Sequence, residues 1–110
     1  MPAVFLVSTT FTLEGYDIVE QKGVVRGIVV RAPTISQGIV GGLKSIVGGN
    51  ISAYADVCEA ARQQAYDIMV EHALSRGANA IVGMRYDASD MGTAAEVLCY
   101  GTAVVVRPRA

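Results

Sequence analysis

The segment from Ala94 to Arg107 restricts the fold more than any other part of the chain. Read as a strand, it puts Leu98, Tyr100, Thr102, Val104 and Val106 on one side. Val97, Cys99, Gly101, Ala103 and Val105 fall on the other. Side chains alternate across a strand, so neither side of this one is a solvent face. A strand that is apolar on both sides has to be covered on both sides. Apolar area left in water costs about 25 cal/mol per Å². The sequence therefore demands two layers of cover.

The rest of the chain is short of such cover. Its 110 residues suit a single domain, 1–110, close to the commonest domain size. Hydrophobic residues make up 52% and charged residues 17%, against about 25% charged in an average protein. Mean hydropathy is +0.40. No apolar run reaches the ~18 residues of a membrane-spanning helix. The greasiest pieces, Ala3 to Val7 and Ala103 to Val106, are strand-sized. The surplus belongs to a core, or to cores shared between subunits.

Other bulk properties narrow the partners. Met1-Pro2-Ala3-Val4-Phe5-Leu6-Val7 lacks the positive start and the cleavage site of a signal peptide, so a cytoplasmic protein is expected, with no membrane partner. A formal net charge of −1 and a pI near 5.7 give no basic field for phosphates, so nucleic acid is not an expected partner. Cys58 and Cys99 do not make a disulfide framework. Both are expected as small buried hydrophobes.

Along the chain, Pro2 to Thr10 reads as a first strand. Tyr16 to Ala32 reads as a bent hairpin turning at Gln21-Lys22-Gly23, with a bulge at Gly27. Ile35, Ile39, Leu43 and Ile46 mark a short helix weakened by Gly38, Gly41 and Gly42. The main helix is predicted over Ser52 to Arg76, capped by Gly77. Tyr54, Cys58, Ala61, Ala65, Ile68, Met69 and His72 share its apolar face; Asp56, Glu59, Gln63, Asp67 and Glu71 share the opposite one. Ala78 to Asp87 and Ala94 to Arg107 are the last strands, joined by a polar loop. The fold class is α+β: a small antiparallel sheet on one long helix plus a short one. The long helix covers one face. A neighbouring copy of the chain is the simplest cover for the other, so a homo-oligomer is expected.

Several ordered blocks are familiar. Thr9-Thr10 with Leu13-Glu14-Gly15, Gly23-Val24-Val25-Arg26-Gly27, and Ile46-Val47-Gly48-Gly49 with Tyr54 resemble the YbjQ-like family. Gly77-Ala78-Asn79-Ala80-Ile81-Val82-Gly83 and Tyr100-Gly101-Thr102-Ala103-Val104 complete the likeness over nearly the whole chain. The resemblance implies a dodecin-like subunit in a ring, a pentamer, and it brings a heavy-metal-binding label but no reaction. Many relatives carry a basic residue where this chain has Asn50, which departs from an anion-binding pattern at that position.

The residues themselves offer little to a metal. A soft ion wants Cys or His donors converging at about 2.0–2.3 Å. There is no C-x-x-C and no H-x-x-x-H. Cys58 and His72, fourteen positions apart on one helix at ~1.5 Å per residue, are separated by roughly 21 Å. No metal site is expected within a subunit; one formed only on assembly is the alternative reading. His72, the only histidine, is expected as a core-edge imidazole bonded to backbone. It lacks the nucleophile and orienting carboxylate of a catalytic base, so no enzyme activity is expected. Gly38 to Ser45 misses the phosphate-loop pattern because Leu43 stands where glycine must precede the Lys. Asp87, Asp90 and Glu96 read as solvated loop carboxylates.

Gly48-Gly49-Asn50, just ahead of the long helix, is the most suggestive local feature. Exposed amides at a helix start attract anions, and Tyr54 one turn in could stack on a planar ligand. Ser52 as an ordinary cap is the plainer reading. With Thr9 and Thr10 from the other block, these residues form the candidate site for a small anionic or planar ligand at subunit interfaces. The cofactor is left open. The expected function is a cytoplasmic, ring-forming binding or scaffold protein.

Overall fold

The computed structural model describes residues 4–31, 52–90 and 95–110. Its elements are β1 (Leu6–Val7), β2 (Tyr16–Arg31), α1 (Ser52–Ser75), β3 (Ala80–Asp90) and β4 (Ala95–Pro108). The short helix expected around Ile35 to Ile46 lies outside the described residues. The strands form one sheet in the order β1-β3-β4-β2, with α1 packed on one face. The doubly apolar strand is thus an inner one, antiparallel to β2 on one side and to β3 on the other.

The α+β class is as expected, but the sheet is mixed rather than purely antiparallel. Leu6 and Val7 pair parallel with Ala80 and Ile81. β1 and β3 are separated by β2 and the long helix, and a connection of that length lets a strand return in the same direction. β1 is also far shorter than Pro2 to Thr10. The chain bends from Ser8 onward while still bonding to β3: the Ser8 N–H donates to the Ile81 carbonyl at 3.0 Å. Farther on, the Gly83 N–H donates to the Thr10 carbonyl at 2.8 Å.

Two glycine readings are corrected by tertiary context. Gln21-Lys22-Gly23 is not a hairpin turn. β2 runs unbroken for 16 residues, and register shifts at Ile18/Glu20 and Gln21/Gly23 absorb the irregularity as bulges, with Gly23 at φ 96°. The 14-residue β4 offers one continuous partner, so the chain has no reason to fold back. Gly27 is no bulge either: it pairs in register with Cys99. Its missing side chain makes room for the helix. A Cβ there would collide with the Ala65 carbonyl oxygen and come within 2.7 Å of the Met69 nitrogen and 2.9 Å of Ile68 Cβ.

Small residues on α1 meet that gap. Ala61, Ala65, Met69 and Ala73, spaced every fourth residue, are its buried line. Asp56, Glu59, Gln63, Asp67 and Glu71 are exposed, as the pattern predicts. Cys58 and Ile68 sit on the flank of the stripe and are exposed, contrary to expectation. Gly77 closes the helix at φ 81°: its N–H donates to the Leu74 carbonyl at 3.0 Å and the Ala78 N–H to that of Ala73 at 3.1 Å. These are the paired bonds of a Schellman cap.

The core has two parts. Against the helix lie Val25, Val29, Ile81, Met84, Cys99 and Ala103. On the other face, Ala80, Val82, Val104 and Val106 are covered by Leu6, Leu13, Tyr16 and Ile18. Among the described residues, the second layer therefore comes from the chain itself at one end of the sheet.

Helix length limits the first layer. The described residues span 56 × 25 × 25 Å with a radius of gyration of 17.3 Å, against about 13 Å for a compact domain of about 100 residues. The 24-residue helix at ~1.5 Å per residue reaches roughly 36 Å. Gly27→Ala is expected to push the helix off the sheet and cost about 1–3 kcal/mol, the range for an overpacked core. Urea unfolding of the variant checks it.

Candidate functional site

β2 shows where cover is missing. Val25 and Val29 face α1 and are buried, while their neighbours Val24, Ile28 and Val30 are 60%, 44% and 57% exposed. The register places Val24 beside Thr102, Arg26 beside Tyr100, and Ile28 beside Leu98. On the far side of β4, Arg85 pairs with Tyr100 and Asp87 with Leu98. Period-two alternation sets all of these on the face away from the helix. The result is an apolar patch with Tyr and Arg inside it, a composition common at the centres of protein interfaces. Tyr100 is itself 37% exposed.

The residues expected to hold a ligand fall into two groups. Thr9 and Thr10 lie just after β1, beside the bulge in β3. Thr10 holds its own bend together. Its hydroxyl lies 2.7 Å from the Ser8 hydroxyl and donates to the Thr12 carbonyl, while its N–H donates to Ser8 Oγ at 3.1 Å. The Thr9 carbonyl accepts from Arg85 Nη1 at 2.8 Å. Gly48, Gly49 and Asn50 lie outside the described residues, as does the side chain of Tyr54, whose backbone belongs to the first turn of α1.

Sequence reading missed three side chains that fasten this end of the molecule. Arg85 also bonds the Met84 carbonyl at 2.7 Å and sits 5.7 Å from the Phe11 ring centre. Arg76 Nη1 donates to the carbonyls of Lys22 at 3.2 Å and Val24 at 3.0 Å. Asn79 pairs with the Val106 backbone as a peptide would, donating to its carbonyl at 2.9 Å and accepting from its N–H at 2.7 Å. The only hint in the sequence is polarity next to an apolar run; apart from Met84, next to Arg85, the partners lie 27 to 76 positions away.

The soft-metal donors of the chain do not converge. His72 Nδ1 accepts from the Arg26 N–H at 3.3 Å, which matches the expected core-edge imidazole. Cys99 is fully buried, 3.6 Å from Met69 Sδ. Burial pushes its thiol from 9.0 up to about 11, partly offset by a hydrogen bond with Tyr86. A metal needs the thiolate, and that site keeps the proton. Cys58 is exposed on the helix. Among the described residues no group of three or more His, Cys, Asp or Glu could hold an ion. They do not fit a heavy-metal centre within one subunit. No helix among them is long and apolar enough to cross a membrane.

Among the described residues, a four-stranded mixed sheet with one helix on it defines a small α+β domain of a known fold. A protein of unknown function from Pediococcus pentosaceus, of the DUF74 family, shares that fold at a TM-score of 0.60 and 16% identity, over 94% of this chain and 98% of that one. The chain belongs to the YbjQ family, whose model, described as "Putative heavy-metal-binding", matches residues 5–107. A UPF0145 protein of Legionella pneumophila is 56% identical over 102 residues, covering 92% of this chain and 97% of that one. Another from Francisella tularensis is 52% identical over 105 residues, covering 93% and 99%.

The two thiols are expected to behave differently. In native protein near pH 8, Ellman's reagent should titrate Cys58 quickly and Cys99 only on unfolding. The raised thiol also sets a sign for stability. Protonated Cys99 contributes in full below about pH 9, and the contribution is lost as pH rises through about 11. Cys99→Ala should weaken this alkaline decline in urea midpoints measured across that window.

Proposed function

We propose that the protein is a cytoplasmic, ring-forming binding or scaffold subunit without catalytic activity, and that its copies meet through the outer sheet face around Ile28 and Tyr100. The observation that carries this reading is the exposed end of the sheet among the described residues. The chain's own residues shield Val104 and Val106, yet Val24, Ile28 and Val30 stand about half exposed in an elongated molecule. Burying side chains of this size is worth roughly 1 kcal/mol for each half that leaves water. The gain repeats at every junction of a closed ring. The family resemblance supports five copies.

The absence of catalysis is part of the same proposal. Support comes from His72, whose Nδ1 is committed to the backbone of β2, and from Cys99, which is held protonated. A small anionic or planar ligand would be held where copies adjoin, near the start of α1. A metal held only on assembly is a second reading. The family label and the exposed Cys58 favour it, since each copy presents one accessible thiol.

Native mass spectrometry tests these readings together. Wild-type protein at micromolar concentration is expected as a pentamer, with any retained ligand or metal visible as added mass. Val24→Glu with Ile28→Glu should give folded monomers, because two carboxylates on that face would have to be desolvated at the junction. A stable wild-type monomer overturns the proposal.

A further inference from the structure

His72 and Arg76, at the end of α1, both reach backbone groups of β2, and they differ in what a proton does to them. Arg76 Nη1 donates to the Lys22 and Val24 carbonyls at 3.2 and 3.0 Å. A guanidinium keeps its charge and its donors at every pH a protein meets, so these bonds do not respond to acid. His72 Nδ1 instead accepts from the Arg26 N–H at 3.3 Å. Accepting needs a lone pair on that nitrogen, so the ring is neutral and carries its proton on Nε2. The donor is held in place, because Arg26 is in register with Tyr100 of β4.

Protonation removes the acceptor altogether. Both nitrogens of an imidazolium are donors, so no rotation of the ring restores the bond. The ring is half-buried and within reach of solvent protons. Its surroundings offer the charged form no counter-ion. Among the described residues no carboxylate oxygen lies within 4.0 Å of its nitrogens. On α1, Glu71 is on the exposed face, and Arg76 follows one turn later, the spacing at which like charges repel. On β2, Lys22 is engaged with Glu20 at 2.9 Å, and the Arg26 side chain falls on the sheet face away from the helix, beside Tyr100. β4 turns Cys99 and Ala103 to the helix, and the Cys99 thiol is neutral, bonded to Met69 and to Tyr86 of β3.

We propose that His72 is a proton-operated latch between α1 and β2. The neutral ring holds the end of the helix to the strand through the Arg26 N–H; the protonated ring lets go and leaves that end to Arg76. The bond lies within one chain, so the latch stands whether or not copies associate. Its position makes the change consequential. Arg26 precedes Gly27, where helix and strand backbones meet, so release loosens the chain beside the closest helix–strand approach.

NMR of the isotopically labelled full chain tests the latch across about pH 8 to 5, the window in which histidine changes charge. Ring nitrogen shifts report protonation of His72. Hydrogen exchange, corrected for its intrinsic pH dependence, reports the Arg26 amide. As the ring takes up its proton, protection at Arg26 should fall about fivefold or more, the equivalent of one hydrogen bond. The Val25 and Gly27 amides, which alternate toward β4, should hold theirs. His72→Gln keeps an acceptor oxygen at every pH, so its Arg26 amide should stay protected in acid. Unchanged protection at Arg26 while the ring titrates overturns the latch. So does the same acid loss in His72→Gln, which places the cause elsewhere. If that variant fails to fold, the wild type decides alone: ring and Arg26 amide should share one midpoint, and two separate midpoints sink the proposal.

Discussion

The approach of α1 to β2 at Gly27 governs the rest of this structure. A helix normally stands off a sheet by the thickness of two side-chain layers. Here the sheet contributes no side chain at the crossing, and the helix contributes Ala65 with Ala61 and Ala73 along the same line. The backbones come close enough that a methyl group would strike the helix itself. Packing at that distance places Met69 over Cys99 and brings His72 and Arg76 within reach of the β2 backbone. The edge of the sheet is therefore held by the same helix that roofs it. A helix held this close and this far to one side touches β2 most, β4 less and β3 least. On its own face, that position leaves the far end of β3 least covered.

Much of this was legible in the chain because it is local. The helix span, its acidic outer face, the Gly77 cap and the two apolar sides of β4 all follow from spacing within one element. The role of His72 was legible for the same reason: a lone imidazole on an apolar stripe, without a carboxylate beside it, has backbone as its natural partner. Positions decided by a distant neighbour were not legible. Gly23 and Gly27 are ordinary turn or bulge signals in isolation, and only the long β4 and the crossing helix give them their roles. Arg76, Asn79 and Arg85 likewise find partners far along the chain. Thr10 of the candidate ligand site spends its hydroxyl within its own bend, an arrangement that two adjacent threonines do not announce.

That bend accounts for the uneven second layer. Ser8 to Thr12 follows the irregularity in β3, with Phe11 against Gly83, where a Cβ would lie 3.1 Å from the ring. Arg85 clamps the segment from the other side. Leu13 and Tyr16 are thereby laid over Val104 and Val106, and the chain then enters β2. Everything past Thr102 toward Ala95 is beyond the reach of this flap. Among the described residues, the exposed patch is thus the part of this face that the flap does not reach.

The same geometry orders the chemistry open to this chain. Cys99 sits in the driest part of the core, where desolvation favours the thiol over the thiolate, and a soft cation entering there would have to displace a proton and open the helix contact. Cys58 is accessible but brings one donor per copy. A soft ion needs several converging donors, so within this chain's described residues heavy-metal binding has no independent footing. It could arise only where symmetry gathers equivalent side chains. Under the proposed self-assembly, any metal or ligand chemistry would depend on which residues the junctions bring together.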